Sequence, residues 1–269
     1  MRVDGKAIAE RIFSDLREKI KEENLKPSLG VAYVGSDPVI DNFVSIKKRK
    51  GEEIGIRVEI LKFDSAITEG DLIAEIKKGA ESGKYNGIIV QLPLPTYFDS
   101  QNVLNAVPKQ LDVDVLGEET LRSYVKGDTS FIPPVAGAIE EILKVDDVNL
   151  TDKKIVVIGK GKLVGHPVHL YLKKIGLPHQ TLDEYSDISL YLPIADVVIS
   201  GTGVPGLIQP SFLKQGVVLL DAGTSEKAGK IKGDADPSCE EKCALFTPVP
   251  GGIGPITVAI LFRNLIAGK

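Results

Sequence analysis

The sequence is poor in sulfur and in the largest aromatic side chain: its 269 residues include two cysteines, one methionine and no tryptophan. Cys239 and Cys243 have no histidine near them, and two thiols alone make a poor metal site, so we expect two reduced thiols and no bound metal. No apolar run approaches the roughly 18–20 residues that span a bilayer. The first residues have the pattern of an amphipathic helix rather than that of a signal peptide, which favours a cytoplasmic protein.

An excess of positive charge is also missing. The formal net charge is −4 and the sequence pI is about 5.6, which argues against a surface that binds nucleic acid. With 43% hydrophobic and 26% charged residues, the composition is that of a globular protein long enough for two modest domains. We therefore expect neither a nucleic acid nor a membrane as a partner.

Helix and strand patterns alternate along the chain, and β-branched residues mark the strands. In the first half we predict strands at residues 27–35, 57–63 and 86–95 and helices near 4–24, 38–54 and 69–82. A stretch rich in Pro, Gly and Asp, residues 108–134, is typical of a connector that also carries function. A second series of apolar strands follows at residues 153–159, 179–184, 195–201 and 216–223. Apolar strands joined by helices predict parallel sheets covered on both faces, and therefore an α/β fold.

A glycine-rich turn, "VVIGKGKLVGHP", follows the first strand of the second series and opens a helix. Such a turn lets backbone N–H groups approach a pyrophosphate, which predicts a dinucleotide site; the alternative is a glycine-rich turn without a ligand. The candidate cofactor contacts lie in this turn, at later strand ends and in the last helix: Gly159, Lys160, Gly161, Val164, Gly165, Asp183, Thr202, Gly203, Gly223, Thr224 and Thr257.

Two of these residues give opposite indications about the cofactor. Asp183 ends the second strand of the series, about 20 residues after the turn, where an acid would bind the 2′-hydroxyl of an adenine ribose and favour NAD. Lys160 lies inside the turn and could instead pair with a 2′-phosphate, which favours NADP. The residues alone leave this choice open.

Lys47 is the odd member of four consecutive cations, Lys47 to Lys50. Asp37 and Pro38 predict the start of a helix, and an advance of about 100° per residue places Lys47 within its apolar stripe. Arg49 points the opposite way, and we expect the other three cations to be solvated. Desolvation would lower the pKa of Lys47 and make it a general base or proton shuttle. The alternative is a lysine that extends along the apolar face to water.

Five motifs resemble those of the bifunctional methylenetetrahydrofolate dehydrogenase/cyclohydrolases, in the same order over nearly the whole chain. "FVSIKKRKGEE" is similar to the family's Tyr-Val-x-x-Lys, and "LDVDV" is similar to its Lys-Asp-Val-Asp-Gly. The others are "VQLPLP", the glycine turn and "TPVPGGIGPIT". The order and spacing of all five carry the resemblance, not any one of them alone.

The resemblance implies two reactions in one cleft between two α/β domains, the second of them a Rossmann-type doubly wound parallel sheet. 5,10-Methylenetetrahydrofolate would lose a hydride to the nicotinamide, and water would then open the methenyl product to 10-formyltetrahydrofolate. Lys47 would handle protons in the second reaction, with Gln91 hydrogen-bonded to it and Asp114 binding donors of the pterin. Further folate contacts would come from Phe43, Leu92, Pro93, Pro250, Gly251 and Gly252.

The predicted domains are residues 1–135, on the folate side, and residues 136–253, for the dinucleotide. A last helix, residues 254–269, is expected to pack back onto the first domain. The resemblance also implies a homodimer that acts on tetrahydrofolate one-carbon derivatives.

Several positions depart from the family pattern. Phe43 replaces Tyr and removes a hydroxyl donor, which predicts slower or differently organised hydration. Val115 replaces Gly, so we expect a different turn there. Lys160 and Gly161 replace Arg and Ser in the cofactor loop. Because Lys160 keeps the positive charge, we expect NADP, whereas the charge of Asp183 would repel a 2′-phosphate and keeps NAD as the alternative.

Three other functions are compatible with parts of the pattern. A dehydrogenase that has lost the hydration step is suggested by Phe43. A non-catalytic NAD(P)-binding sensor would use the same glycine turn without turnover. A short-chain reductase with a Tyr-x-x-x-Lys pair is disfavoured, because position 43 is Phe and the motif precedes the nucleotide turn.

Overall fold

The computed structural model describes residues 1–227 and 230–268. Its helices are α1 (Gly5–Glu22), α2 (Pro38–Glu53), α3 (Glu69–Glu81), α4 (Ser100–Asn105), α5 (Glu118–Lys126), α6 (Pro134–Val145), α7 (Gly165–Lys174) and α8 (Ile253–Ala267). Its strands are β1 (Ser28–Val34), β2 (Arg57–Phe63), β3 (Gly87–Val90), β4 (Ile155–Ile158), β5 (His179–Leu182), β6 (Val197–Ser200), β7 (Val217–Asp221), β8 (Ser225–Lys227), β9 (Lys230–Lys232) and β10 (Cys243–Phe246). The chain forms two compact units. The first unit is Arg11–Pro133 with the described residues from Val258 onward, and the second unit is Met1–Glu10 with Pro134–Thr257.

A three-stranded parallel sheet in the order β2-β1-β3 forms the centre of the first unit. All seven residues of β1 are buried, as expected for a central strand that is covered on both faces. The apolar helix α8 packs in this unit, where the ring of Phe262 lies 6.3 Å from that of Phe13 on α1. At the carboxyl edge of this sheet, β1 leads into α2 and the neighbouring strand β3 leads into Gln91.

Helix α2 begins where the sequence predicts. Oδ1 of Asp37 accepts the backbone N–H groups of Val39 and Ile40 at 2.8 and 3.1 Å, and Pro38 occupies the first helical position, where its missing N–H costs nothing. Gly51 lets the helix approach β2, since a Cβ there would lie 2.5 Å from the side chain of Val58. The N-cap and close packing together fix the face that α2 turns inward.

The second unit contains a five-stranded parallel sheet in the order β10-β7-β6-β4-β5. The chain passes from β4 outward to β5 and then returns to the other side of β4 at β6. This reversal makes a topological switch point at the carboxyl ends of β4 and β6, where open α/β sheets bind their ligands. The predicted α/β class, with two parallel-sheet domains and a Rossmann-type second half, is confirmed.

The N-terminal residues differ from the predicted domain limits. The N–H of Val3 donates to the carbonyl of Phe246 over 2.9 Å, and that of Gly5 donates to the carbonyl of Gly251 over 3.0 Å. These bonds group residues 1–10 with the second unit instead of the first. Helix α8 starts at Ile253 and contributes to both units, and the last residue of the predicted helix, Lys269, lies outside the described residues.

Two local predictions need correction, and one strand was not predicted. The stretch interpreted as a connector contains helix α5, which ends at Lys126 and is followed by Gly127 with a φ of 81°. No strand was predicted at β10; residues 237–242 form a 3-10 segment and Cys243 starts the strand. Strand β5 is not fully apolar, because it lies at the edge of its sheet. Both thiols are free, as expected.

Within the described ranges, no helix is both long and apolar enough to cross a membrane. The same residues contain no cluster of three His, Cys, Asp or Glu side chains arranged to hold a metal ion.

Candidate functional site

Lys47 and Gln91 meet at the carboxyl edge of the first unit's sheet. Gln91 directly follows β3, and Lys47 lies on α2, which follows the neighbouring strand β1. Nζ of Lys47 donates to Oε1 of Gln91 over 3.0 Å. Nε2 of Gln91 donates to the carbonyl of Leu92 over 2.7 Å, which orients the amide so that its oxygen faces the lysine. The contact that the sequence analysis expected is present.

Burial lowers the pKa of Lys47 below its ordinary value, and the negative charge of Asp114 opposes this shift. Gln91 is only 8% exposed, so the lysine nitrogen is bonded to a buried group instead of extending to bulk water. An amide oxygen gives Lys47 a hydrogen bond without the full negative charge that would hold it protonated. Lys47 nevertheless keeps part of its surface open to solvent, as a group that reacts with a substrate must.

Asp114 is the second perturbed group. Burial raises its pKa to about 6; the charge of Lys47 opposes the rise and that of Asp112 adds to it. Asp112 is itself buried, and Oδ2 accepts the N–H of Gly117 over 2.8 Å while Oδ1 accepts that of Leu116 over 3.3 Å. Asp112 therefore fixes the segment that leads into α5, and Asp114 lies in that segment. No role was predicted for Asp112 from the sequence, although it shares a motif with Asp114.

Val115 follows Asp114 with a φ of 56° and a fully buried side chain. This is the left-handed region, which glycine adopts freely and a β-branched residue adopts at a cost. A glycine would adopt this conformation more easily than the valine does, and the expectation that the turn differs from the family's stays a prediction. The turn directs Asp114 at the expense of local strain.

The neighbours of Lys47 divide differently from the prediction. Lys48 and Arg49 are exposed and lie 3.9 Å and 3.8 Å from Glu52 and Glu53 respectively. Lys50 is only 29% exposed; its Nζ lies 2.8 Å from Glu53 and 5.5 Å from the centroid of the Phe13 ring. Two of the three cations, Lys48 and Arg49, are solvated as expected, whereas Lys50 packs over the ring of Phe13 on α1.

The other predicted folate contacts in this unit are close to Lys47 or Gln91 along the chain. Phe43 lies one helical turn before Lys47 and is partly exposed, and Leu92 and Pro93 follow Gln91. Leu92 is partly exposed and Pro93 is exposed. Accessible apolar side chains thus accompany the two polar groups, which is the usual make-up of a small-molecule site.

The glycine turn after β4 separates into two parts. A Cβ on Gly165 would lie 1.9 Å from the carbonyl oxygen of Gly159, and one on Gly159 would lie 2.9 Å from that of Gly201. Gly159 also has a φ of 100°. These two glycines are required by the packing of the turn itself. Gly161 has open space where its Cβ would be, so a ligand can approach the backbone there.

Val164 packs inward, because a Cβ on Gly201 would lie 2.1 Å from its side chain. Its contribution to the turn is therefore one of packing between the ends of β4 and β6. The first turn of α7 has no side-chain cap at Val164, and N–H groups at such a helix start favour an anion.

Lys160 and Asp183, which gave opposite indications about the cofactor, are bonded to each other. Nζ of Lys160 lies 2.6 Å from Oδ2 of Asp183. Oδ1 of Asp183 also accepts the hydroxyl of Ser186 over 2.8 Å and the N–H of Tyr185 over 3.2 Å. The bond to Lys160, with smaller contributions from Ser186, lowers the pKa of Asp183 to about 2. The site therefore presents a fixed ion pair rather than a single charge.

Thr202, Gly203, Gly223 and Thr224 follow the ends of β6 and β7, at the edge where the switch point lies. Two buried acids accompany these loops, and no role was predicted for either of them from the sequence. Asp234 accepts the N–H of Thr202 over 2.7 Å, and Asp221 accepts that of Gly223 over 2.9 Å. The sequence signal for Asp234 was weak, because it lies in a turn far along the chain from the loop it contacts.

The motif "TPVPGGIGPIT", residues 247–257, belongs to the second unit. Gly251 has a φ of 105°, and the N–H of Gly252 donates to the carbonyl of Pro248 over 2.8 Å, which closes the loop at Pro250. The hydroxyl of Thr257 donates to the carbonyl of Gly254 over 2.7 Å, within α8. The structure therefore brings Lys47, Gln91 and Asp114 together in one unit and places the cofactor candidates and this loop in the other.

Comparisons with known proteins likewise place Lys47, Gln91 and Asp114 in one domain and the glycine turn in the other. Residues 3–114 match the family model of the tetrahydrofolate dehydrogenase/cyclohydrolase catalytic domain, and residues 133–269 match that of the NAD(P)-binding domain of the same enzymes. The bifunctional protein FolD of Staphylococcus aureus strain Newman is 34% identical over 273 residues, which cover 99% of this chain and 96% of the relative.

Solved structures give the same result. The bifunctional FolD of Campylobacter jejuni has 31% identity and a TM-score of 0.94, with 100% of this chain and 98% of that chain covered. The Trypanosoma brucei enzyme, solved with NADP cofactor and an inhibitor, has 26% identity and a TM-score of 0.93, covering 100% and 96%. Fold and site define a two-domain protein with an NAD(P)-binding half. The chain belongs to the tetrahydrofolate dehydrogenase/cyclohydrolase family.

Proposed function

We propose that this protein oxidises 5,10-methylenetetrahydrofolate to the 5,10-methenyl form with NAD(P)+ and hydrolyses that product to 10-formyltetrahydrofolate. The observation that carries the proposal is the Lys47–Gln91 hydrogen bond of 3.0 Å, with burial lowering the pKa of the lysine. Matches to both the catalytic and the NAD(P)-binding domain models support the two activities.

The hydration step is the one that requires proton transfer. With its pKa lowered, Lys47 reaches the free-amine form more easily and can accept a proton from the water that attacks the methenyl carbon. As the ammonium it can return that proton to the ring nitrogen when the carbon–nitrogen bond opens. Gln91 keeps Nζ in place through both states, because its amide oxygen accepts from either form of the amine.

Asp114 fits the recognition of the pterin. An ionised carboxylate accepts two parallel hydrogen bonds, which suits the amino and ring N–H donors of the substrate. Its raised pKa reflects burial without a fully compensating partner, so a substrate that supplies donors would repay part of that cost. We therefore assign substrate orientation to Asp114 and proton transfer to Lys47.

The second unit fits a nicotinamide dinucleotide. The backbone at Gly161 is open, Val164 provides no side-chain cap at the start of α7, and strand ends meet at a switch point. The bound cofactor would supply the hydride acceptor; Gly159 and Gly165 shape the turn, and Lys160 provides a cation near it. We propose NADP as the cofactor, with NAD as the alternative, because Lys160 offers a partner for a 2′-phosphate.

The proposal is tested with purified protein and two assays. Methenyltetrahydrofolate, followed by its absorbance, should be hydrolysed much faster than in buffer, and methylenetetrahydrofolate should reduce NADP+ or NAD+. Lys47→Ala should lower the hydrolysis rate by about 10²–10⁴-fold, the usual contribution of a general acid–base group. Lys48→Ala, one residue along on the exposed face, is the matched control and should leave both rates unchanged.

A second candidate is a dehydrogenase without effective hydration, and the observation that favours it is Phe43, which offers no hydroxyl beside Lys47. Hydrolysis no faster than in buffer, together with reduction of the cofactor, would select this candidate. If neither reaction occurred while the protein still bound NADPH, it would be a non-catalytic sensor.

A homodimer and a cytoplasmic location belong to the same proposal. The support is the resemblance to the bifunctional enzymes for the dimer, and for the location the sparse, free thiols. Sedimentation at micromolar protein concentration tests the first, and a result at the mass of one chain would refute it. Fractionation of cells that express the protein tests the second.

A further inference from the structure

The ends of β6 and β7 are held together by a segment that crosses them. Ser200 and Asp221 are register partners at the last positions of these strands. Residues 233–235 pass beside them, and Oδ2 of Asp234 accepts the hydroxyl of Ser200 over 2.6 Å and the N–H of Thr202 over 2.7 Å. One carboxylate oxygen therefore fixes the start of the loop after β6.

Asp221 does the same for the loop after β7. Its Oδ1 accepts the N–H of Gly223 over 2.9 Å, and its Oδ2 accepts the N–H of Ala235 over 2.9 Å. The backbone N–H of Asp221 donates in turn to the hydroxyl of Thr247 over 2.6 Å. Both loops are thus tied to the crossing segment by side chains and not only by the sheet.

The two carboxylates reach these positions because glycines make room. A Cβ on Gly223 would lie 2.1 Å from Oδ1 of Asp234, and one on Gly233 would lie 2.2 Å from Oδ2 of Asp221. Gly223, predicted from the sequence as a cofactor contact, is therefore required for the approach of Asp234.

This arrangement costs stability. Asp234 is 0% exposed and Asp221 is 2% exposed. In the parts of the chain that the structure describes, neither has an ion pair, and Oδ1 of Asp234 has no hydrogen-bond partner. A buried carboxylate with an unpartnered oxygen destabilises a fold, so packing alone gives no reason for it. The loops that it holds contain Thr202, Gly203, Gly223 and Thr224.

We propose that Asp234, supported by Asp221, is a positioning residue for the nicotinamide cofactor, acting through the Thr202 N–H and the Ser200 hydroxyl. The inference rests on the proposed function, in which the loops after β6 and β7 bind the dinucleotide. Asp234 itself is fully buried, so it would act through these loops instead of by direct contact with the cofactor. Its effect is to preorganise these loops, so its loss lowers cofactor affinity without altering the chemistry at Lys47.

The experiment compares Asp234→Ala, Asp234→Asn and Asp236→Ala. Alanine removes both hydrogen bonds, whereas the amide oxygen of asparagine can replace Oδ2 and keep both. Asp236 lies two residues along, and its carboxylate accepts from Ser238 instead of the loops, which makes it the matched control. Each variant is titrated with NADPH and NADH by fluorescence, and the KM for cofactor, the KM for folate and the methenyl hydrolysis rate are measured.

We expect Asp234→Ala to raise the cofactor Kd and KM by about tenfold, equivalent to about 1.4 kcal/mol. The folate KM and the hydrolysis rate should not change, because hydrolysis depends on Lys47 in the first unit. Asp234→Asn should recover most of the affinity, and Asp236→Ala should match the unaltered protein. If Asp234→Ala is insoluble, Asp234→Ser is used, because its shorter hydroxyl does not reach the Thr202 N–H.

Cofactor affinity in Asp234→Ala or Asp234→Ser within about twofold of the unaltered protein would overturn the inference. So would a parallel loss of hydrolysis and cofactor binding, because that result indicates a structural role only. If the unaltered protein binds neither NADPH nor NADH, the proposed function fails first, which separates the two outcomes.

Discussion

Gln91 presents its amide oxygen, and not its amide nitrogen, to Nζ of Lys47 at 3.0 Å. The bond from Nε2 to the carbonyl of Leu92, the residue that follows, fixes this orientation. The lysine therefore has a neutral acceptor as its closest partner, which steadies the side chain and leaves its pKa to be set mainly by burial.

The first prediction follows from replacing that neutral acceptor by a charge. Gln91→Glu keeps the size of the side chain but places a carboxylate on Lys47, which raises the pKa of the lysine and holds it as the ammonium. We expect methenyl hydrolysis at pH 7 to fall by about tenfold or more, since one pKa unit corresponds to about 1.4 kcal/mol. The rate should recover as the pH is raised.

The matched control is Gln215→Glu, which makes the same chemical change at an exposed position whose side-chain amide donates to the carbonyl of Glu241 over 3.4 Å. It should leave the pH–rate profile unchanged. A Gln91→Glu profile that coincides with that of the unaltered protein would show that Lys47 does not act as a free amine.

The second prediction concerns the pKa of Asp114, which burial raises to about 6. If the ionised form binds the pterin, kcat/KM for the folate should fall as the pH drops below about 6. Asp114→Asn should show a lower kcat/KM at every pH, and its kcat/KM should not fall further below pH 6. Rates measured between pH 5 and pH 8 check this.

Asp114→Asn, which should lower activity, should increase the stability of the fold. Burial raises the pKa of Asp114 in the folded protein to about 6, above the ordinary value of an aspartate, so ionisation favours the unfolded chain. The favourable contribution of the protonated group is complete below pH 4 and is lost as the pH rises through about 6. At pH 8, Asp114→Asn should therefore have a higher free energy of unfolding, by on the order of 1–3 kcal/mol, and should need more urea to unfold. Asp128→Asn, at an exposed position, is the control and should show no change.

The sequence was sufficient for the features that depend on local patterns. The alternation of strand and helix patterns predicted the parallel sheets, and Asp37 followed by Pro38 predicted the start of α2, because propensity, capping and burial act over a few residues. The angular position of Lys47 on that helix predicted its inward direction for the same reason.

Other features depend on partners that are distant in the chain. Asp234 meets Ser200 and Thr202 only after the sheet has formed, so no spacing in the sequence marks it. Residues 1–10 group with the second unit through bonds from Val3 and Gly5 to residues near the end of the chain. Lys160 and Asp183 were predicted to act separately on the cofactor, and their mutual bond became visible only in three dimensions.

That bond gives the third prediction. Asp183→Asn removes the fixed negative charge and leaves Lys160 free to pair with a 2′-phosphate, so the ratio of kcat/KM for NADP to that for NAD should rise by roughly tenfold. Lys160→Ala should lower the same ratio. Both effects should weaken as ionic strength is raised, because the two side chains are accessible to solvent.

Asp187→Asn is the control for this pair, since Asp187 is a nearby exposed acid whose carboxylate accepts from the backbone N–H and the hydroxyl of Ser189. Its cofactor ratio should equal that of the unaltered protein. If Asp183→Asn left the ratio unchanged at low salt, the adenine ribose would not lie beside Asp183, and the assignment of this turn would need to be revised.

The fourth prediction concerns the strained turn at Val115. An alanine is ordinarily about 0.5–1 kcal/mol more stable than a glycine in regular structure. A left-handed residue with a Cβ costs about 1–2 kcal/mol, and the φ of Val115 is 56°. We therefore expect Val115→Gly to be at least as stable as Val115→Ala in urea unfolding, which reverses the usual order.

Val113, equally buried and without a positive φ, supplies the control pair: there, Val113→Ala should be more stable than Val113→Gly. The same order at both positions would mean that the valine at 115 bears no backbone strain, and that the direction of Asp114 is set by packing around Asp112 instead.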